Sequence, residues 1–411
     1  MAFDFSPLYS ATVAPPAARW TGFPEFNFVG GHNDSAAVPV EGFMEASQRV
    51  LARDGHMLAT YGLQSGPQGY RPLREFLARS LEVRCGMCQT VDEVLIVSGS
   101  LQALDLVNDV LLDPGDTVIV EEATYQGTLQ RYDRLGVGYI GAPLDKDGIR
   151  MDALSSTLDR LNSVGIKPKF IYTVPTVQNP TGSVMPEDRR LELLRLARLH
   201  GVPIFEDDCY AELTFDGTRP RSIRALDVSD DGRQVIYCGS FSKTIAPALR
   251  MGYLVADWSF LSRCVAAKRD AGTGALEQMV LAEFCTAYFD DHVTKLRTVL
   301  KEKYDVISDA LAAEFGTVAE VSIPKGGIFV WVTLPDSVDT LKLASVAAAE
   351  GVAINPGPEW VADPTTGRTK FRLCFGHPSH SEIRKGVAKL ADICHREFGL
   401  PERSANVGRG D

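Results

Sequence analysis

A lysine that comes straight off a strand among hydroxyls and an arginine suits two kinds of chemistry. Its amine can form a Schiff base with a carbonyl, and its neighbours can hold a dianionic phosphate. Lys243 stands in such a segment, GSFSKTIAPALRMGY, with Ser240 and Ser242 ahead of it and Arg250 seven residues on. The plain alternative is a solvated loop lysine, and three other segments weigh against it. Asp207 ends the run IFEDD, with Tyr210 three residues later. An acid there can cap a helix. If a pyridine ring lies over the strand ends, the same acid can keep the ring nitrogen protonated so that the ring acts as an electron sink. Asn179 in VPTVQNPTG offers turn chemistry or an amide that reaches a ring hydroxyl. Arg372 lies inside the apolar run KFRLCFG, where a guanidinium needs a carboxylate partner from the protein or from a substrate.

These residues share a place in the sequence pattern. VLIVS (94–98), TVIVE (117–121), KFIYTV (169–174), VPIFED (202–207) and VIYCGS (235–240) are continuous apolar runs, as in strands covered on both faces. Between them Leu104, Val107 and Leu111 recur at helical spacing, and a second amphipathic stripe follows Pro186-Glu187-Asp188. Strand alternating with helix predicts a mostly parallel α/β sheet with right-handed crossovers. In such a sheet ligands bind beyond the carboxyl ends of the strands. That rule selects Ser100, Leu101 and Gln102 after Gly99, then Tyr125, Asn179, Asp207 with Tyr210, and Ser240 to Lys243.

The flanks differ from this middle. Residues 1–55 read as a Pro- and aromatic-rich arm, with Pro15, Pro16 and Trp20, followed by a first helix over 41–54. Residues 56–295 carry the α/β pattern. A helical stretch near 294–315 leads into alternating runs such as GGIFVWVTL, so 296–411 reads as a smaller α+β unit with an antiparallel sheet.

With 42 Lys and Arg against 53 Asp and Glu the 411-residue chain carries a net charge of −11, which argues against phosphate backbones or anionic lipid as main partners and for a small molecule. No basic stretch followed by an apolar one opens the chain, and no apolar run reaches membrane-spanning length, so a cytoplasmic protein is expected. Cys85 and Cys88 form a lone C-x-x-C without a second pair at zinc spacing, and no metal is expected.

Together these segments resemble fold-type I, the aspartate aminotransferase superfamily of pyridoxal phosphate enzymes, and within it the class I/II branch that includes aminoadipate and aromatic aminotransferases. The match runs from about Phe28 to Phe375, with YGLQSGPQGYRPLREFL, SGSLQALDL, EEATYQG, PTVQNPTG, FEDDCYAEL, SFSKTIAPALRMGY, PKGGIFVWV and FRLCFG in the family's order. The resemblance implies a large domain with a mostly parallel seven-stranded sheet flanked by helices, and a smaller α+β C-terminal domain. It implies that Lys243 holds pyridoxal 5'-phosphate as a Schiff base and then moves the proton, and that Asp207 pairs with the pyridine nitrogen. By the same analogy Asn179 and Tyr210 contact the ring oxygen and Tyr125 stacks on the ring. Ser100, Leu101, Gln102, Ser240, Ser242 and Arg250 hold the phosphate. Tyr61 matches a tyrosine that reaches the neighbouring subunit's phosphate, which makes a homodimer the active unit. Arg372 matches the arginine that forks onto the substrate carboxylate, beside Gly31 and His32.

One departure bears on substrate. This chain reads Gly30-Gly31-His32-Asn33-Asp34 where much of the branch has a Gly-Gly-Leu-Pro type of segment. His32, Asn33 and Asp34 either recognise a polar or cationic side chain or form an altered helix cap. A second arginine for a distal carboxylate has no motif support, Arg19 being a candidate by position alone. The expected activity is transfer of an α-amino group to a 2-oxo acid. The alternatives are another carbanion reaction of the same cofactor (β/γ-elimination or replacement, cyclisation, C–C bond formation or oxidation) and, more remotely, the sensor domain of a regulator. The sensor needs a basic DNA-binding domain ahead of the pattern, where the sequence shows a Pro-rich arm with Arg19 as its one basic residue.

Overall fold

The computed structural model describes residues 3–10, 13–228 and 232–402. Seven strands form the large sheet: β1 (Val94–Val97), β2 (Thr117–Glu121), β3 (Gly138–Ala142), β4 (Ile171–Thr173), β5 (Ile204–Asp207), β6 (Val235–Ser240) and β7 (Gly252–Val255). Their order is β1-β7-β6-β5-β4-β2-β3. β7 runs antiparallel to β6 and β1, and the pairs β6–β5, β5–β4, β4–β2 and β2–β3 are parallel. All strands but β7 therefore end at the same edge. β1, β4, β5, β6 and β7 are buried along their whole lengths, which is why they read as unbroken apolar runs. The expected runs at 117–121 and 235–240 coincide with β2 and β6, while β4 and β5 are shorter than 169–174 and 202–207.

The helix Glu187–His200 starts after Pro186 with Glu187 and Asp188 in its first turn and ends on Gly201 at φ 61°. The acids face the positive helix end, and the glycine takes the left-handed cap. The long helix begins at Ala275, not near residue 294, and runs unbroken to Phe315. Met279, Val280, Leu281, Phe284 and Cys285 are all buried in its first turns, so that part shows no polar face for periodicity to detect. The expected step between units at 295/296 falls inside this helix. Its first half packs with the β1–β7 side of the large sheet, and its last turns pack with a four-stranded antiparallel sheet, order 320–321, 329–333, 370–374, 355–356.

All eight cysteines are free; Cys85 is buried and Cys88 exposed. No described helix is long and apolar enough to cross a membrane.

Candidate active site

The carboxyl ends of the parallel strands converge on a cavity of about 130 Å³. At one end lie Ser100 and Leu101, at the start of the helix Ser100–Leu111, with Ser240, Ser242 and Arg250. Unpaired helix N–H groups, hydroxyls and a guanidinium make this the anion-binding end. Gly99, at φ 79°, precedes that helix, and a Cβ there would lie 2.4 Å from Nη2 of Arg250. The glycine thus lets the guanidinium fold over the helix start, where Nη2 donates to the Ser98 carbonyl at 3.3 Å.

At the other end are Tyr125, Asn179, Asp207, Tyr210 and Lys243. Asp207 is 6% exposed, and its Oδ2 accepts a 2.7 Å hydrogen bond from the Tyr172 hydroxyl. Its Oδ1 is buried with no partner. Burial raises its pKa, while hydrogen bonds from Cys209 and Tyr172 pull it back. Lys243 Nζ donates to the Gly31 carbonyl at 2.7 Å, and a Cβ on Gly31 would stand 2.5 Å from that nitrogen. Burial draws the Lys243 amine below the usual lysine range, which enlarges its neutral, nucleophilic fraction.

Arg372 is 2% exposed. Nη1 donates to Asn179 Oδ1 at 2.9 Å, and Nη2 to the Gly30 carbonyl at 2.9 Å and Asn355 Oδ1 at 2.8 Å. Its guanidinium carbon lies 3.9 Å from the Phe329 ring centre and 3.7 Å from that of Trp360. Among the described residues no carboxylate pairs with it. Burial lowers its pKa to about 10, so it stays charged at neutral pH. A buried, oriented cation without a protein anion is a site for a ligand carboxylate.

The remaining sequence candidates fall elsewhere. Gln102 Oε1 accepts from the Ser98 N–H and its Nε2 donates to Asp270, both at 2.7 Å, so its amide is turned from the cavity. Tyr61 is 91% exposed and lines a separate surface hollow with Gly62 and Thr273. Arg19 is exposed. His32 packs edge-on against Phe23 and His377 at ring separations of 5.3 and 5.8 Å, and burial lowers its pKa. Asn33 Nδ2 donates to the Ile245 carbonyl at 3.3 Å. Asp34 accepts from the Ala36 N–H at 2.9 Å and pairs at 2.7 Å with Lys303. That lysine also donates to the carbonyls of Gly376 at 3.0 Å and Pro378 at 2.9 Å. Asn33 and Asp34 therefore tie loops together, as the helix-cap alternative has it.

Several residues of the site are not singled out by the sequence: Tyr172, Cys209, Asn355, Phe329 and Trp360. Tyr172 and Phe329 read as ordinary strand residues, and Trp360 comes from a loop far along the chain. Cys209 and Cys238 lie with Asp207 so that their ligand-type atoms are all within 4.8 Å, the one such group of metal-ligand types among the described residues.

Pyridoxal phosphate, the group implied by the resemblance, fits this cavity. The unpartnered Oδ1 of Asp207 suits a protonated ring nitrogen, the Ser100–Arg250 end suits a phosphate, and Lys243 lines the same cavity.

Comparison with known proteins agrees. The family model described as aminotransferase class I and II matches residues 27–390. An aromatic-amino-acid aminotransferase of Thermococcus litoralis is 34% identical over 90% of this chain and 88% of its own. The α-aminoadipate aminotransferase of Thermus thermophilus, solved with N-(5'-phosphopyridoxyl)-L-leucine, superposes with a TM-score of 0.83 at 34% identity, covering 92% of this chain and 93% of that one. The kynurenine aminotransferase of Pyrococcus horikoshii gives a TM-score of 0.84 at 35% identity, covering 91% of each chain.

Proposed function

The chain belongs to the class I and II aminotransferases, is a pyridoxal-phosphate-dependent transaminase of fold type I, and we propose that Lys243, Asp207 and Arg372 carry its reaction on an aromatic amino acid. When bound, the cofactor supplies an aldehyde that takes up the amino group and a ring that draws electrons from the bond between Cα and its hydrogen. The protein does the rest. Ser100, Ser240, Ser242 and Arg250 would hold the cofactor's phosphate. Asp207 would keep the ring nitrogen protonated, and Asn179 and Tyr210, joined at 3.3 Å, would hold the ring oxygen. Tyr125, which lines the same cavity, would lie against the ring. Arg372 forks onto the donor's carboxylate and fixes which Cα bond points at Lys243, whose amine then moves the proton.

The observation that carries this reading is the pairing, in one cavity edge, of a buried free-faced carboxylate at Asp207 with the lowered-pKa amine of Lys243. The aromatic donor is supported by the ring row Trp20, Phe23, His32 and His377, joined by edge contacts beside Gly31. Burial, with His377 and Lys243 nearby, lowers the His32 pKa, which disfavours a cation there for a distal carboxylate. The relatives named for aromatic amino acids and kynurenine point the same way. Adding single amino acids to the holoenzyme without an acceptor tests it. Phenylalanine, tyrosine or kynurenine should bleach the visible absorbance of the bound cofactor, and a 2-oxo acid should restore it. Bleaching by 2-aminoadipate or glutamate alone overturns the aromatic assignment, and product formed without bleaching overturns transamination.

Tyr61 completes the phosphate site of a second copy, so the active unit is a homodimer; its 91% exposure within one chain supports this. Tyr61→Phe and Lys243→Ala proteins, each impaired alone, should regain activity when unfolded together and refolded, because half of the mixed dimers' sites are then intact. No gain on mixing excludes the crossover. The free cysteines support placing the enzyme in the cytoplasm.

A further inference from the structure

Tyr172 pairs in register with Phe205 on the adjacent parallel strand. Side chains two residues apart share a sheet face, so Phe205 and Asp207 both project on the side of Tyr172. The Tyr172 ring packs edge-on against Phe205 at 5.6 Å and is wholly buried. The phenol so packed donates its hydroxyl to Asp207 Oδ2 at 2.7 Å, while Oδ1 has no partner.

We propose that Tyr172 is a positioning residue for the cofactor's ring nitrogen: it locks the rotation of the Asp207 carboxylate and keeps it charged in a buried setting. This rests on the reading that Asp207 pairs with that nitrogen. A phenol has one proton to give, and burial together with the Asp207 charge holds the Tyr172 hydroxyl well above its ordinary pKa, so it remains a donor. Cys209 also donates to the carboxylate, through its thiol and its backbone N–H, and the groups that follow supply no further donor. Glu121 on β2 and Asp208 on the same segment add negative charge. The buried thiols of Cys209 and Cys238 flank it. Tyr132 and Tyr125, from the helix Gln126–Leu135 and its N-terminal cap, and Tyr210 from its own segment complete the surround. The cations of the cavity, Lys243 and Arg372, are engaged with Gly31 and Asn179.

The sign of the effect follows from which form the phenol favours. A hydrogen bond to the carboxylate lowers the Asp207 pKa, and loss of the one from Tyr172 leaves burial opposed by Cys209 but not by the phenol, which raises the pKa. Asp207 then protonates at a higher pH, and a protonated acid cannot hold the ring nitrogen's proton. Pyridoxal phosphate is titrated into cofactor-free wild type, Tyr172→Phe, Asp207→Asn and the double variant across pH. Tyr172→Phe should move the acid-side loss of affinity to higher pH, with a loss on the order of tenfold to a hundredfold there. Adding Tyr172→Phe to Asp207→Asn should change nothing further. An equal loss at every pH, or an additive loss in the double variant, overturns the role of Tyr172. Wild-type affinity in Asp207→Asn would instead overturn the reading of Asp207. If Tyr172→Phe does not fold, a ring-fluorinated tyrosine at 172 keeps the shape and strengthens the donor. It should move the acid-side loss to lower pH, and an unmoved curve refutes the proposal.

Discussion

Lys243→Ala is expected to lower the transamination rate by at least roughly 10⁴-fold, the upper end of what one positioned general base contributes. The loss reaches that limit because the same side chain is also the nucleophile that holds the cofactor. In the wild type the lysine nitrogen is held 2.7 Å from the Gly31 carbonyl, in the cavity that Asp207 also lines. Borohydride reduction gives a readout independent of turnover. The wild type should become covalently labelled at Lys243, and the variant should bind pyridoxal phosphate without becoming labelled. Multiple turnovers at more than about a hundredth of the wild-type rate would remove Lys243 from the mechanism.

The second large effect is expected at Arg372. Two charge-assisted bonds to a carboxylate in a buried site amount to about 3–6 kcal/mol, so Arg372→Ala should lower kcat/KM for amino acids on the order of 10³-fold. Arg372→Lys should recover little. A lysine has no fork, and it cannot at once satisfy Asn179, Asn355 and the Gly30 carbonyl while lying flat between Phe329 and Trp360. Donor amines without a carboxylate separate recognition from collapse of the site. Their slower turnover should be nearly unchanged in Arg372→Ala, whereas a damaged cavity would slow them too. Amino acid kcat/KM within tenfold of wild type would assign the carboxylate to another group.

Much of the large sheet was legible because its strands are buried on both faces, so each is a continuous apolar run ended by the polar residues it presents. Val235–Ser240 could be delimited to the residue for that reason. The antiparallel strand Gly252–Val255 was missed: it is four residues long and follows the lysine segment, where loop chemistry dominated the pattern. The helix start at Ala275 was missed because helical periodicity needs a polar face, and burial on all sides erases it. Residues that touch the reacting groups carried type and spacing signals, as Lys243, Asp207 and Arg372 did. Residues that hold those groups did not. Tyr172 acts through a strand register, and Trp360 through a loop that returns from far along the chain, and neither relation exists in one dimension. The segment 32–34 shows the reverse case. Its polar composition suggested substrate recognition, yet the Asn33 amide nitrogen donates to backbone and Asp34 pairs with Lys303, with Asn33 Oδ1 left without a partner.

The 41-residue helix from Ala275 to Phe315 has a mechanical consequence. At 1.5 Å per residue it is about 60 Å long, twice the width of a small domain. Near its start Gln278 accepts from the backbone of Tyr70, just beyond the loop that carries Tyr61. Seven turns later Lys303 grips the loop at 376–378 behind Arg372. The segment that carries Tyr61 and the loop beside the Arg372 strand are thus fastened to one strut. A swing of the smaller sheet toward the cavity must flex that strut instead of turning about a free loop, so closure over a donor loads a spring whose far end lies beside Tyr61.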